Sequence, residues 1–169
     1  MIKHVSLQKK RRYMKKVTIN SVMQTPQRGL FTITLDGEAV SEFSKFVKEY
    51  SGDAECGRDL DLILLALKKM IIGSGFLERY FRIEGKMSDS VYALPIETSK
   101  LRLYCLRLSD EILIAGNGGK KRTRTYEEDG ALHSYVLTLQ QLDKAIKLAL
   151  KKGKVTIEET IIDQKQFYI

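Results

Sequence analysis

The sequence predicts an α+β fold in which helices layer on a small antiparallel sheet. Three observations carry this: a β-branched and aromatic run ending at Asp36-Gly37, two stretches of three-and-four apolar spacing after it, and three short apolar runs ahead of a last amphipathic helix. Residues 30–35 read Leu-Phe-Thr-Ile-Thr-Leu and form a first strand. Val40, Phe43, Phe46, Val47 and Tyr50 then mark one face of a first helix. Asp59 can cap a second, whose buried side carries Leu60, Ile63, Leu64, Leu67 and Ile71, and Gly73 and Gly75 end or bend it. Residues 91–96, 101–108 and 111–115 follow as strands with links short enough for antiparallel pairing, and Pro95 places the first of them at an edge or bulge. Thr138-Leu139-Gln140-Gln141 has the form of a capping box, and Leu139, Leu142, Ile146 and Leu150 make the stripe of a last helix stopped by Gly153.

A chain of 169 residues suits one domain with extensions. We divide it into a basic arm over residues 1–28, a domain over 29–151 and a C-terminal extension over 152–169. The apolar share of 43% and charged share of 30% are those of a chain with a packed core. The longest apolar run, residues 62–72, is interrupted by Lys68 and Lys69, so no membrane span is expected. No apolar stretch follows the positive N-terminus as a secretory signal requires, and two cysteines make no disulfide scaffold, so the expected compartment is the cytoplasm.

Charge is distributed unevenly. The excess of +8 sits wholly in residues 1–28, which contain Lys and Arg but no Asp or Glu, while the remaining chain is balanced. That arm reads either as a solvated tail or as a segment drawn to a polyanion. A second basic stretch holds Lys100, Arg102, Arg107, Lys120, Lys121, Arg122 and Arg124, interleaved with Tyr104 and Tyr126. Cations hold phosphate and rings stack on unpaired bases, so this composition suits RNA, with a solvated sheet edge as its plain alternative.

Strand alternation puts Arg102 and Tyr104 on one face and Leu101, Leu103 and Cys105 on the other. If the leucine side meets the helices, Arg102 and Tyr104 look out from an open sheet face. Asn117-Gly118-Gly119 reads as a turn after the last strand and fits neither phosphate-binding glycine pattern. His4 and His133 lie in no metal-ligand spacing, so neither a metal nor another cofactor is expected. His133, with Tyr135, is either a proton donor or stacking pair or a surface histidine. Cys105 reads as a small core residue.

Lys100-Leu101-Arg102-Leu103-Tyr104, Ile112-Leu113-Ile114-Ala115 and the basic segment from Gly119 to Tyr126 together resemble the RelE-like (RelE, ParE and HigB) superfamily of type II toxins. The resemblance covers about residues 30–150. It implies two N-terminal helices packed on a small antiparallel sheet, with a C-terminal helix. It further implies a metal-independent endoribonuclease that acts on messenger RNA, commonly in the ribosomal A site, where a 2′-hydroxyl attacks the neighbouring phosphate. A cognate antitoxin, such as a helix-turn-helix protein, would be the protein partner. Arg102 and Lys121 would stabilise the phosphate and Tyr126 would carry a proton or stack on a base. Tyr104, Lys120, Arg122, Arg124, Lys86 and His133 would bind RNA. RelE itself bears lysines on the strand that here reads Val91-Tyr92-Ala93-Leu94-Pro95-Ile96, so the general base is left without a residue. A gyrase-directed toxin of the ParE branch and a non-catalytic RNA-binding relative share the same implied scaffold.

Overall fold

Alternating burial along the strands explains the architecture, because the sheet has two apolar faces to cover. The computed structural model describes residues 14–84, 89–95, 100–121, 129–158, 161–162 and 165–169. Its elements run β1 Lys16–Gln24, β2 Gly29–Leu35, α1 Glu42–Tyr50, α2 Gly57–Lys69, a π turn Met70–Ser74 and a 3-10 turn Glu78–Tyr80. Then come β3 Arg82–Ile83, β4 Val91–Pro95, β5 Leu101–Arg107, β6 Ile112–Lys120, α3 Gly130–Lys151, β7 Ile157–Glu158, β8 Ile161–Ile162 and β9 Gln166–Tyr168. Seven strands form one sheet in the order β3-β4-β5-β6-β2-β1-β9, and β7 and β8 form a separate pair.

This corrects the expected fold. The sheet is mixed and large rather than small and antiparallel, and helices cover both of its faces. The decisive contact is parallel: β2 pairs with β6 from Gly29↔Ile112 to Thr32↔Ala115. Parallel strands are buried on both sides, which is why Ile112, Leu113, Ile114 and Ala115 are an unbroken apolar run and are all fully buried. Each of the three larger side chains stabilises the fold by roughly 1.5–3 kcal/mol through that burial.

On one face, α1, α2 and the π turn pack over Leu30, Leu101, Leu103, Cys105, Leu113 and Ala115. On the other, Leu132, Val136, Leu139, Leu142 and Ile146 of α3 cover Val17, Ile33, Ala93, Tyr104 and Ile114. Cys105 is fully buried, and burial pushes its thiol far up from its ordinary value. No helix among the described residues is long and apolar enough to cross a membrane.

Several local expectations need correction. Residues 16–24, expected within a basic arm, form β1, with Val17 and Ile19 in the core. β9, from the C-terminal extension, pairs with β1 from Lys16↔Tyr168 to Thr18↔Gln166. The last helix begins eight residues before the capping box: Asp129 caps it by accepting from the Ala131 and Leu132 N–H groups at 3.0 and 3.1 Å. Thr138 is therefore mid-helix and buried, its hydroxyl donating to the Ser134 carbonyl at 2.9 Å. α2 starts before Asp59, after Asp53 has accepted from the Glu55 and Cys56 N–H groups. Gly153, at φ +67°, follows the last helix as expected. Pro95 ends β4 where β3, which pairs only with Tyr92 and Ala93, no longer flanks it.

Asn117-Gly118-Gly119 is not a turn but the end of β6, paired with β5 through Leu103↔Gly118 and Arg102↔Gly119. A Cβ at Gly118 would lie 2.0 Å from the Arg102 carbonyl oxygen, closer than two atoms can approach. Gly118→Ala is accordingly expected to destabilise the protein by about 1–3 kcal/mol, read as a lower midpoint in thermal or urea unfolding. A wild-type midpoint in that variant would show that β5 and β6 are not this close.

Candidate functional site

The side of the sheet that α3 packs against carries three cations, on β3, β5 and the end of β6, and one carboxylate just after β3. Register places them. Arg82 pairs with Ala93 and Ala93 with Tyr104, so these three side chains share a face, and it is the face that α3 packs against. Glu84 and Arg102 are two residues from Arg82 and Tyr104 and so point the same way, but toward opposite ends of the strands, Glu84 in the row of Val91 and Leu106 and Arg102 in the row of Pro95 and Gly119. The main contacts of α3 are with β4, β5, β6 and β9, which leaves β3 at the uncovered margin. Lys121 follows β6, its N–H donating to the Lys100 carbonyl at 2.8 Å.

Glu84 is the residue that sequence reading missed. Its N–H donates to the Val91 carbonyl at 3.3 Å, which prolongs the β3–β4 pairing by one residue. Its side chain is partly buried, and burial pushes the carboxyl up from its ordinary value, while Lys121, Arg102 and Arg82 pull it back. One carboxylate thus feels three cations from β3, β5 and the end of β6. Burial, with Arg82 beside it, pulls the Arg102 guanidinium down, and Glu84 and Tyr104 oppose that shift. Arginine stays charged under such shifts. The Arg102 Nη1 also donates to the Leu101 carbonyl at 3.0 Å, which fixes part of the side chain.

Second contacts hold the Val91 end of β4, beside Glu84, in place. Gln140 of α3 donates to Asp89 at 3.0 Å, and the Ser90 N–H donates to the buried Asp143 carboxylate at 3.3 Å. Lys147 pairs with Asp143 at 2.7 Å. α3 therefore grips the start of β4 just beyond the segment that follows Glu84.

The expected site residues separate in this geometry. Arg102 and Lys121 share a side of the sheet with Glu84 and act on its carboxyl at long range. Tyr104 does not join them at the surface: its ring is fully buried beneath α3, so the expectation of an open sheet face with a stacking tyrosine is corrected. Lys120 points to the opposite face, where it pairs with Glu55, and its N–H donates to the Tyr50 hydroxyl at 3.3 Å. His133 is exposed in the first turn of α3. Lys86, Arg122, Arg124 and Tyr126 lie outside the described residues.

Comparison with family models gave no match, and neither did comparison with curated proteins or with solved structures. The chemistry is therefore argued from the cluster itself. A carboxylate held near fixed cations can accept a proton, and the cations can stabilise negative charge that develops beside it. Arginine and lysine together also suit a phosphate, the first by a planar fork and the second as a point charge.

The raised value at Glu84 has a consequence for stability. A carboxyl raised on folding gives stability that is present below its ordinary value and lost as pH rises through the shifted one. Ionised Glu84 is therefore a cost at neutral pH, where burial outweighs the three cations. Glu84→Gln should raise the thermal midpoint by about 1–3 °C at pH 7 and leave it near wild type at pH 4. A lower midpoint for the variant at pH 7 would reverse the assignment.

Proposed function

We propose that this chain is the toxin of a toxin–antitoxin pair and acts as a metal-independent endoribonuclease on messenger RNA, including ribosome-bound messages. The observation that supports this reading is the partly buried Glu84 carboxyl that feels Arg82, Arg102 and Lys121 on one side of the sheet. The reading rests on that cluster and not on the scaffold, whose mixed sheet departs from the one the resemblance implied.

Cleavage by an internal nucleophile needs a proton acceptor and a site for developing phosphate charge. Glu84 takes the proton of the 2′-hydroxyl as its oxygen bonds to phosphorus. The bond from phosphorus to the 5′-oxygen breaks, leaving a 2′,3′-cyclic phosphate and a 5′-hydroxyl. That departing oxygen takes its proton from water or from Tyr126. Arg102 and Lys121 hold the non-bridging oxygens, whose charge grows in the transition state, and so act most strongly there. Arg82, exposed on β3, holds an adjoining backbone phosphate and positions the strand. A carboxyl raised above its ordinary value is the stronger base, since it binds the proton more firmly.

The test uses purified full chain, single-stranded RNA and translating ribosomes, all with excess chelator, and maps the RNA ends. Wild type should produce cyclic-phosphate ends. Glu84→Gln should lower the cleavage rate by about 10²–10⁴-fold, and Arg102→Ala and Lys121→Ala each by about 10²–10³-fold. RNA that is bound in a salt-dependent way and never cut would make the protein a non-catalytic binder. Full activity in all three variants would place the chemistry elsewhere.

A further inference from the structure

Helix α2 carries large apolar side chains on the side the fold leaves open as well as on the side it covers. Leu60, Ile63 and Leu67 are buried against the sheet. On the outer side Leu62 and Leu65 are 39% and 46% exposed, and Ile72 of the π turn is 61% exposed. These three apolar side chains share the outer side with Arg58, Asp61, Lys68 and Lys69, which gives an apolar patch with a charged rim, the composition of an interface. Immediately beside it lies a groove of about 850 Å³ between α1, α2 and the β1–β2 hairpin, with Val22, Val40, Phe43, Val47 and Leu64 among its lining residues. Leu64 marks the boundary, since it lines the groove from the flank of the helix that forms the ridge.

An apolar ridge and an apolar groove side by side on one face form a self-complementary surface. A two-fold axis running along their boundary carries each ridge into the other copy's groove, which is the condition for a closed, isologous interface. Charge agrees with this arrangement. Gly57 packs against Tyr50 and Gly52, so the end of α1 and the start of α2 lie together, and with them the exposed Lys48 and Asp61. The axis keeps the two α2 helices parallel, so the partner copy's Asp61 arrives at the Lys48 end of the groove. Lys68 and Lys69 of the ridge arrive at its other end, where Glu38, which is paired with Lys45 of its own copy, is a lining residue. We propose that this face is the interface of a symmetric homodimer, with Leu62, Leu65 and Ile72 of each copy seated in the other copy's α1–β1 groove. The Glu84 cluster lies at the β3 margin on the α3 side of the sheet, so the dimer leaves both clusters open. The inference does not depend on what that cluster does.

Sedimentation equilibrium or light scattering on the full chain across a concentration series tests the proposal. Wild type should be a dimer, and Leu65→Glu, which sets an added charge in each groove, should weaken association by about 100-fold or more. Lys48→Glu and Asp61→Lys should each weaken it by about tenfold through like-charge contacts, and the double variant should return to within about threefold of wild type. Wild-type far-ultraviolet circular dichroism in every variant would confirm that these exposed substitutions leave the fold intact, since loss of the dimer by itself lowers the thermal midpoint. A monomer at every concentration would overturn the proposal, as would a dimer unaffected by Leu65→Glu or a double variant no better than its parents.

Discussion

Four residues of parallel pairing, Gly29 to Thr32 against Ile112 to Ala115, join the two antiparallel halves of the sheet. On one side stands the β1–β2 hairpin with β9, and on the other the β3–β6 meander. A strand paired in parallel at the centre of a sheet must be covered on both faces, and that requirement explains where the helices go. α1 and α2 take one face because they lie in the chain between the two halves. α3 takes the other, and its caps and apolar stripe are built for a helix of 22 residues rather than a short terminal one. The same central strand carries Lys121 at its end, so the position of the cationic margin depends on the pairing at its start.

The margin places opposed demands on the molecule. Three cations gathered on one side of a sheet repel one another, and Arg82 indeed lowers the proton affinity of Arg102. Glu84 relieves that repulsion, yet burial makes its own ionisation unfavourable. Neither demand is fully met, which is the state expected where residues are kept for chemistry rather than stability. By contrast, the cation on the opposite face is settled: Lys120 is paired with Glu55 and tied to Tyr50, so two consecutive lysines have different surroundings because a strand sends them to different sides.

The strands and helices were largely legible because each carries its own period. Their assembly was not. The unbroken apolar run Ile112 to Ala115 reads by itself only as a strand of a small antiparallel sheet, not as one buried on both sides. Residues 16–24 alternate apolar and polar only weakly beyond Ile19, and the lysines and arginines of residues 9–16 that lead into them masked a strand as an arm. Gly118 looked like a turn because glycine is common there, whereas here it marks the closest approach of two strands. Tyr104 was placed correctly by face but wrongly by exposure, since nothing in its own strand reveals a helix arriving 26 residues later to cover it. Glu84 was invisible for a related reason: it lies 18 residues before Arg102, and only the two-residue strand β3 carries it beside the cations. The available signal was short: Arg82-Ile83-Glu84 alternates charge and apolar residue, with the two charges on one side.

The most direct test of the central claim is carbon-detected NMR titration of the Glu84 carboxyl in the free protein and with an RNA whose 2′-hydroxyls are replaced by hydrogen. The carboxyl should titrate above the ordinary glutamate value, rise further in Arg102→Ala and Lys121→Ala, and shift when the uncleavable RNA binds. A Glu84 that titrates at the ordinary value and responds neither to loss of the cations nor to RNA would contradict the account.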